Sequence, residues 1–215
     1  MLGSFKKAIF RALCLCCVLI GGGLMAEPNP EELFDLGVKS IEAKDYIQAK
    51  KYFEKACELN YAKGCSALGI LYTNKDFGEK NYKKALALLT KGCELNYAVG
   101  CASLGVVYEN GYGVKKDLKK AFTLYAKACD LKDGGGCKRL WSLYYYGRGV
   151  EKNLTKAAYF DSKACDLNNS GGCGSLGLLY EYGQGVEKDL TKAAYFYSKA
   201  CKLGSQVACE ALKEK

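Results

Sequence analysis

Ten cysteines constrain this chain more than any other feature. Cys57/Cys65, Cys93/Cys101, Cys129/Cys137, Cys165/Cys173 and Cys201/Cys209 are each separated by seven residues, and each pair follows the last by 36. Self-similarity at that period marks stacked helical hairpins, none of which can bury its apolar face without a neighbour.

The residues around the cysteines repeat with them. Leu68-Gly69, Leu104-Gly105, Leu140-Trp141 and Leu176-Gly177 open successive units, and Tyr72, Tyr108, Tyr144 and Tyr180 follow each leucine by four positions. Residues at i and i+4 share a helix face, and glycine beside them lets another helix approach. Each first helix then enters a loop, Gly111-Tyr-Gly-Val, Gly147-Arg-Gly-Val or Gly183-Gln-Gly-Val. The glycines supply positive φ, the valine turns inward, and Asp117, Asn153 or Asp189 caps the second helix. A phosphate-binding reading of these G-x-G loops lacks a preceding strand and a third glycine. The second helices carry Lys84-Ala85, Lys120-Ala121, Lys156-Ala157 and Lys192-Ala193, then an aromatic or leucine, and close on Lys-Ala-Cys or once on Lys91-Gly92-Cys93. Small alanines admit the crossing helix and aromatics fill the space between layers.

The expected fold is therefore all-α: one solenoid over 27–215, with units at about 31–60, 61–96, 97–132, 133–168 and 169–204 and a C-terminal cap at 205–215. Helices are expected at about 31–43 and 45–59 in the first unit, which is four residues shorter than the others.

Residues 1–26 have the form of a signal peptide: a basic start at Lys6, Lys7 and Arg11, a short apolar run from Ala12 to Ile20, and Ala26 before Glu27. The apolar run is short of the roughly 20 residues that span a bilayer, so the mature chain is not expected to be transmembrane. Of thirteen cysteines, Cys14, Cys16 and Cys17 leave with the leader, and the other ten, in an oxidising compartment, read as a disulfide ladder. A turn between helices can bring two Cα atoms to about 5.5–6 Å, where a bridge forms. Zinc is the rival reading, but the chain has no histidine and no C-x-x-C, and the pairs lie a whole repeat apart. No metal and no other cofactor is expected.

The net charge of +9 includes three basic leader residues, leaving about +6 spread over every repeat beside acidic neighbours. That is a solvated helix surface, not a nucleic-acid face.

The pattern A-x-x-L-G-x-x-Y-x-x-G-x-G-V-x-x-D-x-x-K-A-x-x-Y-x-x-K-A-C-x-L, nearly whole from Ala102 to Leu131 and from Gly174 to Leu203, resembles the Sel1-like repeat, a relative of the tetratricopeptide repeat. With Cys-x7-Cys in each unit, the chain is similar to the Helicobacter cysteine-rich proteins. The resemblance implies a secreted or periplasmic right-handed α/α superhelix with one disulfide per repeat. It also implies penicillin binding with weak β-lactamase activity, that is, hydrolysis of the β-lactam ring and a link to antibiotic resistance, and action as a secreted antigen on host cells.

The residues themselves do not supply that chemistry. The single S-x-x-K runs from Ser4 to Lys7 inside the leader, and no serine has a histidine base, so no catalytic residue is assigned.

Resemblance to tetratricopeptide proteins implies a concave groove lined by the first helices. Asn74, Asn110, Lys138, Tyr145, Tyr146 and Tyr182 fall at groove positions, and the two asparagines suit bidentate bonds to an extended peptide or serve as helix-end polar residues. Trp141 departs from the motif and, with Tyr144, Tyr145, Tyr146 and Arg148, either spreads its joint or faces an aromatic site. The expected ligands are a β-lactam or peptidoglycan-like fragment, or a host or envelope protein or peptide. A monomer is expected. The competing roles are a binding scaffold, a β-lactam hydrolase and an envelope-stability protein without a ligand.

Overall fold

A short polar side chain opens most helices. Asn29 caps α1 (Pro30–Glu42) through a capping box, accepting from the Glu31 and Glu32 amides while the Glu32 carboxylate takes the Asn29 N–H at 3.1 Å. The second helices of the units are α2 (Tyr46–Glu58), α4 (Tyr82–Glu94), α6 (Leu118–Asp130), α8 (Leu154–Asp166) and α10 (Leu190–Lys202). Each starts on Asp45, Asn81, Asp117, Asn153 or Asp189, whose side chain accepts from the amide three residues on at 2.9–3.0 Å. The remaining first helices are α3 (Ala62–Thr73), α5 (Ala98–Asn110), α7 (Gly134–Tyr146) and α9 (Ser170–Tyr182), and α11 (Gln206–Lys213) closes the array. The computed structural model describes residues 29–75 and 80–213, eleven helices and no strand among them. The expected leader, with its S-x-x-K, lies outside the described residues.

Every second helix ends in the same turn. After α2, the Asn60 N–H bonds the Cys57 carbonyl at 2.9 Å and the Tyr61 N–H bonds that of Ala56 at 3.0 Å, with Asn60 left-handed at φ 59°. This is a Schellman turn, repeated at Asn96, Lys132, Asn168 and Gly204. It folds the next helix back against the last turn of its predecessor.

All five expected disulfides form at these turns: Cys57–Cys65, Cys93–Cys101, Cys129–Cys137, Cys165–Cys173 and Cys201–Cys209. Each joins the second helix of one unit to the helix that follows, so the bridge lies between units and not within one. The expected Cα separation of 5.5–6 Å is corrected: the paired Cα atoms stand 4.4–4.8 Å apart. The close approach comes from the glycine before Cys65, Cys137 and Cys173: a Cβ on Gly64, Gly136 or Gly172 would fall 2.6–2.7 Å from that of Ala56, Ala128 or Ala164. Gly100 before Cys101 packs against the Gly92–Cys93 backbone in the same way. Ala208 precedes Cys209, and there the separation is the widest, 4.8 Å.

Lys91 and Lys127 add a stitch between units, each Nζ donating at 2.8 Å to the carbonyl of Cys57 or Cys93 one repeat earlier. Gly92, the exception to Lys-Ala-Cys, makes room for the buried Ser66 hydroxyl.

The helices of a unit pack most extensively on each other, and consecutive first helices also touch, whereas consecutive second helices hardly do. The array therefore curves with α1, α3, α5, α7 and α9 on its inner side. Clefts of about 310 and 420 Å³ open on the other side, between α2 and α4 around Tyr72 and Lys84 and between α4 and α6 around Tyr108 and Lys120. In the later units Phe160 and Phe196, stacked on Tyr144 and Tyr180, occupy the places of Leu88 and Leu124.

Inside four of the five units a glycine faces a large side chain. A Cβ on Gly69 would fall 2.8 Å from Leu89, one on Gly105 2.5 Å from Tyr125, and one on Gly177 2.8 Å from Tyr197. Small against large is the packing rule that holds these hairpins at one spacing.

Candidate functional site

The fourth unit inverts that rule. Counted by 36, Trp141 takes the glycine position on α7, and Asp161 on α8 takes the position of Phe53, Leu89, Tyr125 and Tyr197. Trp141 leaves α7 packed on α8, and α8 on α9, as extensively as their counterparts elsewhere, while α7 touches α5 and α9 less than α3 touches α5. The smaller Asp161 offsets part of the indole's bulk, because a bulky ring enters where a bulky partner has become a carboxylate. Trp141 settles against the core of Ala158, Leu176 and Leu179.

Burying a carboxylate requires a partner, and Lys138 supplies it. The Lys138 Nζ lies 2.9 Å from Oδ1 of Asp161, which has no solvent exposure, and 3.4 Å from the centre of the Trp141 ring. The same Nζ is hydrogen-bonded to Oγ of Ser175 on α9. One amine thus ties together three helices from two units. Burial pushes the Asp161 carboxyl up to about 7, against the opposing pull of Lys138. Burial also lowers Lys138, with Asp161 acting in the other direction. Both shifts have the same cause, the cost of charge in a half-dry joint. Asp161 Oδ2 and Trp141 Nε1 are buried without a hydrogen-bond partner among the described residues.

A second polar centre adjoins it. Buried Glu109 accepts from the Tyr125 hydroxyl at 2.5 Å and from Arg148 at 2.7 Å, with Arg139 at 3.7 Å. Arg148 also donates to Ser142 at 3.1 Å. Glu181 receives the Tyr197 hydroxyl at 2.6 Å in the last unit, but in the fourth the corresponding place on α7 is held by Tyr145. With no tyrosine at 161 to meet, Tyr145 stacks on Trp141 at 5.1 Å and donates to Gln184 at 2.9 Å.

The expected site residues divide accordingly. Lys138, Trp141 and Tyr145 come together in the buried cluster. Tyr146, 61% exposed, packs edge-on against both rings, and Tyr182, 65% exposed, ends the next first helix. Arg148 belongs to the Glu109 centre. Tyr144 points away from both centres, stacked on Phe160 with Lys156 over its ring. Asn74 is the C-cap of α3, and Asn110, the last residue of α5, donates to its own Val106 carbonyl at 2.9 Å. The asparagines lie on earlier units than the aromatic cluster. The ten cysteines are bracing and not part of a binding surface. Cys65, Cys101, Cys137 and Cys173 have no solvent exposure, their partners Cys57, Cys93, Cys129 and Cys165 are buried too, and Cys201 and Cys209 at the end of the array are partly covered. Asp161, Ser175 and Glu109 complete the two polar centres and lie outside the expected set. Aligning the second helices by 36 makes Asp161 stand out, since every counterpart is large and uncharged.

Comparison with known proteins follows the same repeats. The Sel1 repeat signature matches at residues 33–61, 62–97, 98–133, 139–169 and 172–205. HcpC of Helicobacter pylori is 57% identical over 72 residues, 34% of this chain and 24% of HcpC. Beta-lactamase HcpA of the same species is 51% identical over 72 residues, 34% of this chain and 28% of HcpA. The chain thus spans about a quarter of the length of the curated relatives it matches. Among solved structures, a Sel1 repeat protein from Oxalobacter formigenes superposes with a TM-score of 0.76 at 27% identity, covering 86% of this chain and 74% of that one. Helicobacter pylori cysteine rich protein B gives a TM-score of 0.51 at 42% identity, covering 60% of this chain and 93% of that one. A repeat signature over most of the chain and a disulfide at each joint make it a member of the Sel1 repeat family and, within it, of the Helicobacter cysteine-rich proteins.

Proposed function

We propose that the protein is an extracytoplasmic, disulfide-braced monomer that binds a peptide or protein segment along its first-helix face, with the fourth and fifth units as the main contact. The leader at 1–26 is removed on export, and the oxidising compartment beyond the membrane sustains the five bridges. The observation that carries the reading is the aromatic group on α7 and α9: Trp141, Tyr145 and Tyr146 in mutual ring contact, with Tyr182 one unit on. Large rings with a polar tip and few rotatable bonds concentrate binding energy at low entropic cost. Beside them the partly exposed Arg139 and Arg148 share the single Glu109 carboxylate, and the surplus positive charge favours a segment carrying carboxylates. The test is footprinting of the protein with a bound peptide. Protection of Tyr146 and Tyr182, with Tyr159 and Tyr195 unprotected, supports the reading; the reverse pattern sinks it.

A second reading, hydrolysis of a β-lactam ring, draws on the Lys138–Ser175 hydrogen bond and on the name of the relative HcpA. Turnover of a chromogenic cephalosporin that tracks the protein through purification supports it, and turnover no greater than the blank removes it.

A further inference from the structure

We propose that Ser175 is a nucleophile served by Lys138, forming an acyl-acceptor site on the inner face for strained or activated carbonyl compounds, β-lactams and activated esters alike; this rests on the acyl-transfer reading above. A lysine can replace histidine as the base of a serine nucleophile when the two touch. Here they touch across a joint, Lys138 from α7 and Ser175 from α9, so no S-x-x-K spacing announces them. Both side chains are half-buried.

The surroundings fit the role. Asp161 is a positioning residue: wholly buried, it holds the Lys138 amine at 2.9 Å, opposite Ser175. Burial lowers the Lys138 amine against the opposing pull of Asp161, which favours the unprotonated form that can take the Ser175 proton. The repeat contains its own control. Ser103 stands where Ser175 does two units earlier, but the counterpart of Lys138 there is Ser66, which cannot take a proton.

The chemistry balances without a further reactant but water. Ser175 Oγ bonds to the carbonyl carbon while its proton passes to Lys138. The carbon–nitrogen or carbon–oxygen bond to the leaving group then breaks, and the leaving atom takes that proton. Water attacks the acyl-serine, gives a proton to Lys138, and the proton returns to Ser175 Oγ as the ester bond breaks.

The experiment uses the intact oxidised protein with a fluorescent penicillin and, separately, p-nitrophenyl acetate, reading acylation by peptide mapping between pH 5 and 9. The expected result is one acyl group on Ser175, faster as pH rises, lost by about 100-fold in Ser175→Ala and unchanged in Ser103→Ala. Ser175→Ala keeps the Lys138–Asp161 pair and should melt with the wild type, so lost labelling there is not lost folding. Because Lys138→Met strands Asp161, the lysine is tested in Lys138→Met/Asp161→Leu, which should label as poorly as Ser175→Ala. An unlabelled wild type, or equal labelling of Ser175→Ala, overturns the proposal. Peptide binding is scored at Tyr146 and Tyr182, so either reading can fail while the other stands.

Discussion

The Lys138 ammonium lies 2.9 Å from Oδ1 of Asp161, a carboxylate with no solvent exposure at a position that elsewhere carries phenylalanine, leucine or tyrosine. A buried pair of this kind is tolerated more than it is stabilising, because desolvating two charges offsets most of their attraction. Removing one partner is different, since it leaves a buried charge alone. Lys138→Met should therefore destabilise the protein by about 3–5 kcal/mol, and Lys138→Met/Asp161→Leu should recover most of that loss. Denaturant midpoints of the two variants check this, and a double variant no better than the single contradicts it.

The same pair gives stability a pH signature. Folded Asp161 holds its proton up to about 7, whereas the unfolded chain releases it near 3.8. The folded state thus binds the extra proton in that window, and stability falls as pH rises from about 4 to about 7. Lys138 is lowered from 10.5, so the folded state releases its proton first and stability climbs again towards pH 10. Melting temperatures of the wild type minus those of Lys138→Met/Asp161→Leu should pass through a minimum between these limbs. A flat difference from pH 4 to 10 would show that the joint does not titrate in this way.

The glycine-against-large rule predicts a cost where helix propensity predicts a gain. Alanine is better than glycine by about 1 kcal/mol inside a helix. At Gly105, however, the added Cβ would lie 2.5 Å from the Tyr125 ring, which is fully buried and bonded to Glu109. Overpacking costs about 1–3 kcal/mol, so Gly105→Ala should be destabilising on balance. Gly174→Ala, whose nearest neighbour is 3.8 Å away, should gain instead. Thermal melts of both variants decide between the two effects.

Each disulfide closes a short loop, for which chain entropy suggests about 2–3 kcal/mol. Cys129→Ala/Cys137→Ala should lower the global unfolding free energy by about that amount, because it loosens a central joint. Cys201→Ala/Cys209→Ala should mainly release α11, which packs chiefly on α10. Hydrogen exchange would show global loss of protection in the first variant and loss confined to 206–213 in the second.

How much of this is legible in the sequence follows from the range of each interaction. Caps such as Asp117 and Asn153, the positive-φ glycines of the loops and the cysteine pairs are local, and 36-residue repetition states them several times. The Schellman turns at Asn60 and Lys132 and the small residues before Cys65, Cys101, Cys137, Cys173 and Cys209 are equally local. A generic bridging distance takes no account of them, which is why the expected Cα separations are too long. The site lies further from view. Trp141 announces itself by replacing a glycine, and a spread joint is the natural expectation for an uncompensated indole. The compensation sits twenty residues on, at Asp161, and the hydroxyl that completes the cluster sits 37 residues from Lys138 on another unit. Such contacts depend on how units stack, which pattern within one unit does not encode. Asn110 shows the converse: its position suits a peptide clamp, but its amide donates to its own helix.

If the first-helix face of the fourth and fifth units is the binding surface, its exposed tyrosines should matter and those of the second helices should not. Tyr146 and Tyr182 on the first helices are 61% and 65% exposed, and Tyr159 and Tyr195 on the second helices are 55% and 63%. Random peptides displayed against the oxidised protein would be selected, then titrated by fluorescence anisotropy against Tyr146→Ser/Tyr182→Ser and Tyr159→Ser/Tyr195→Ser. Saturable binders should be weakened at least about tenfold, or 1.4 kcal/mol, by the first pair and unaffected by the second. No saturable binder, or equal loss from both pairs, would contradict that surface.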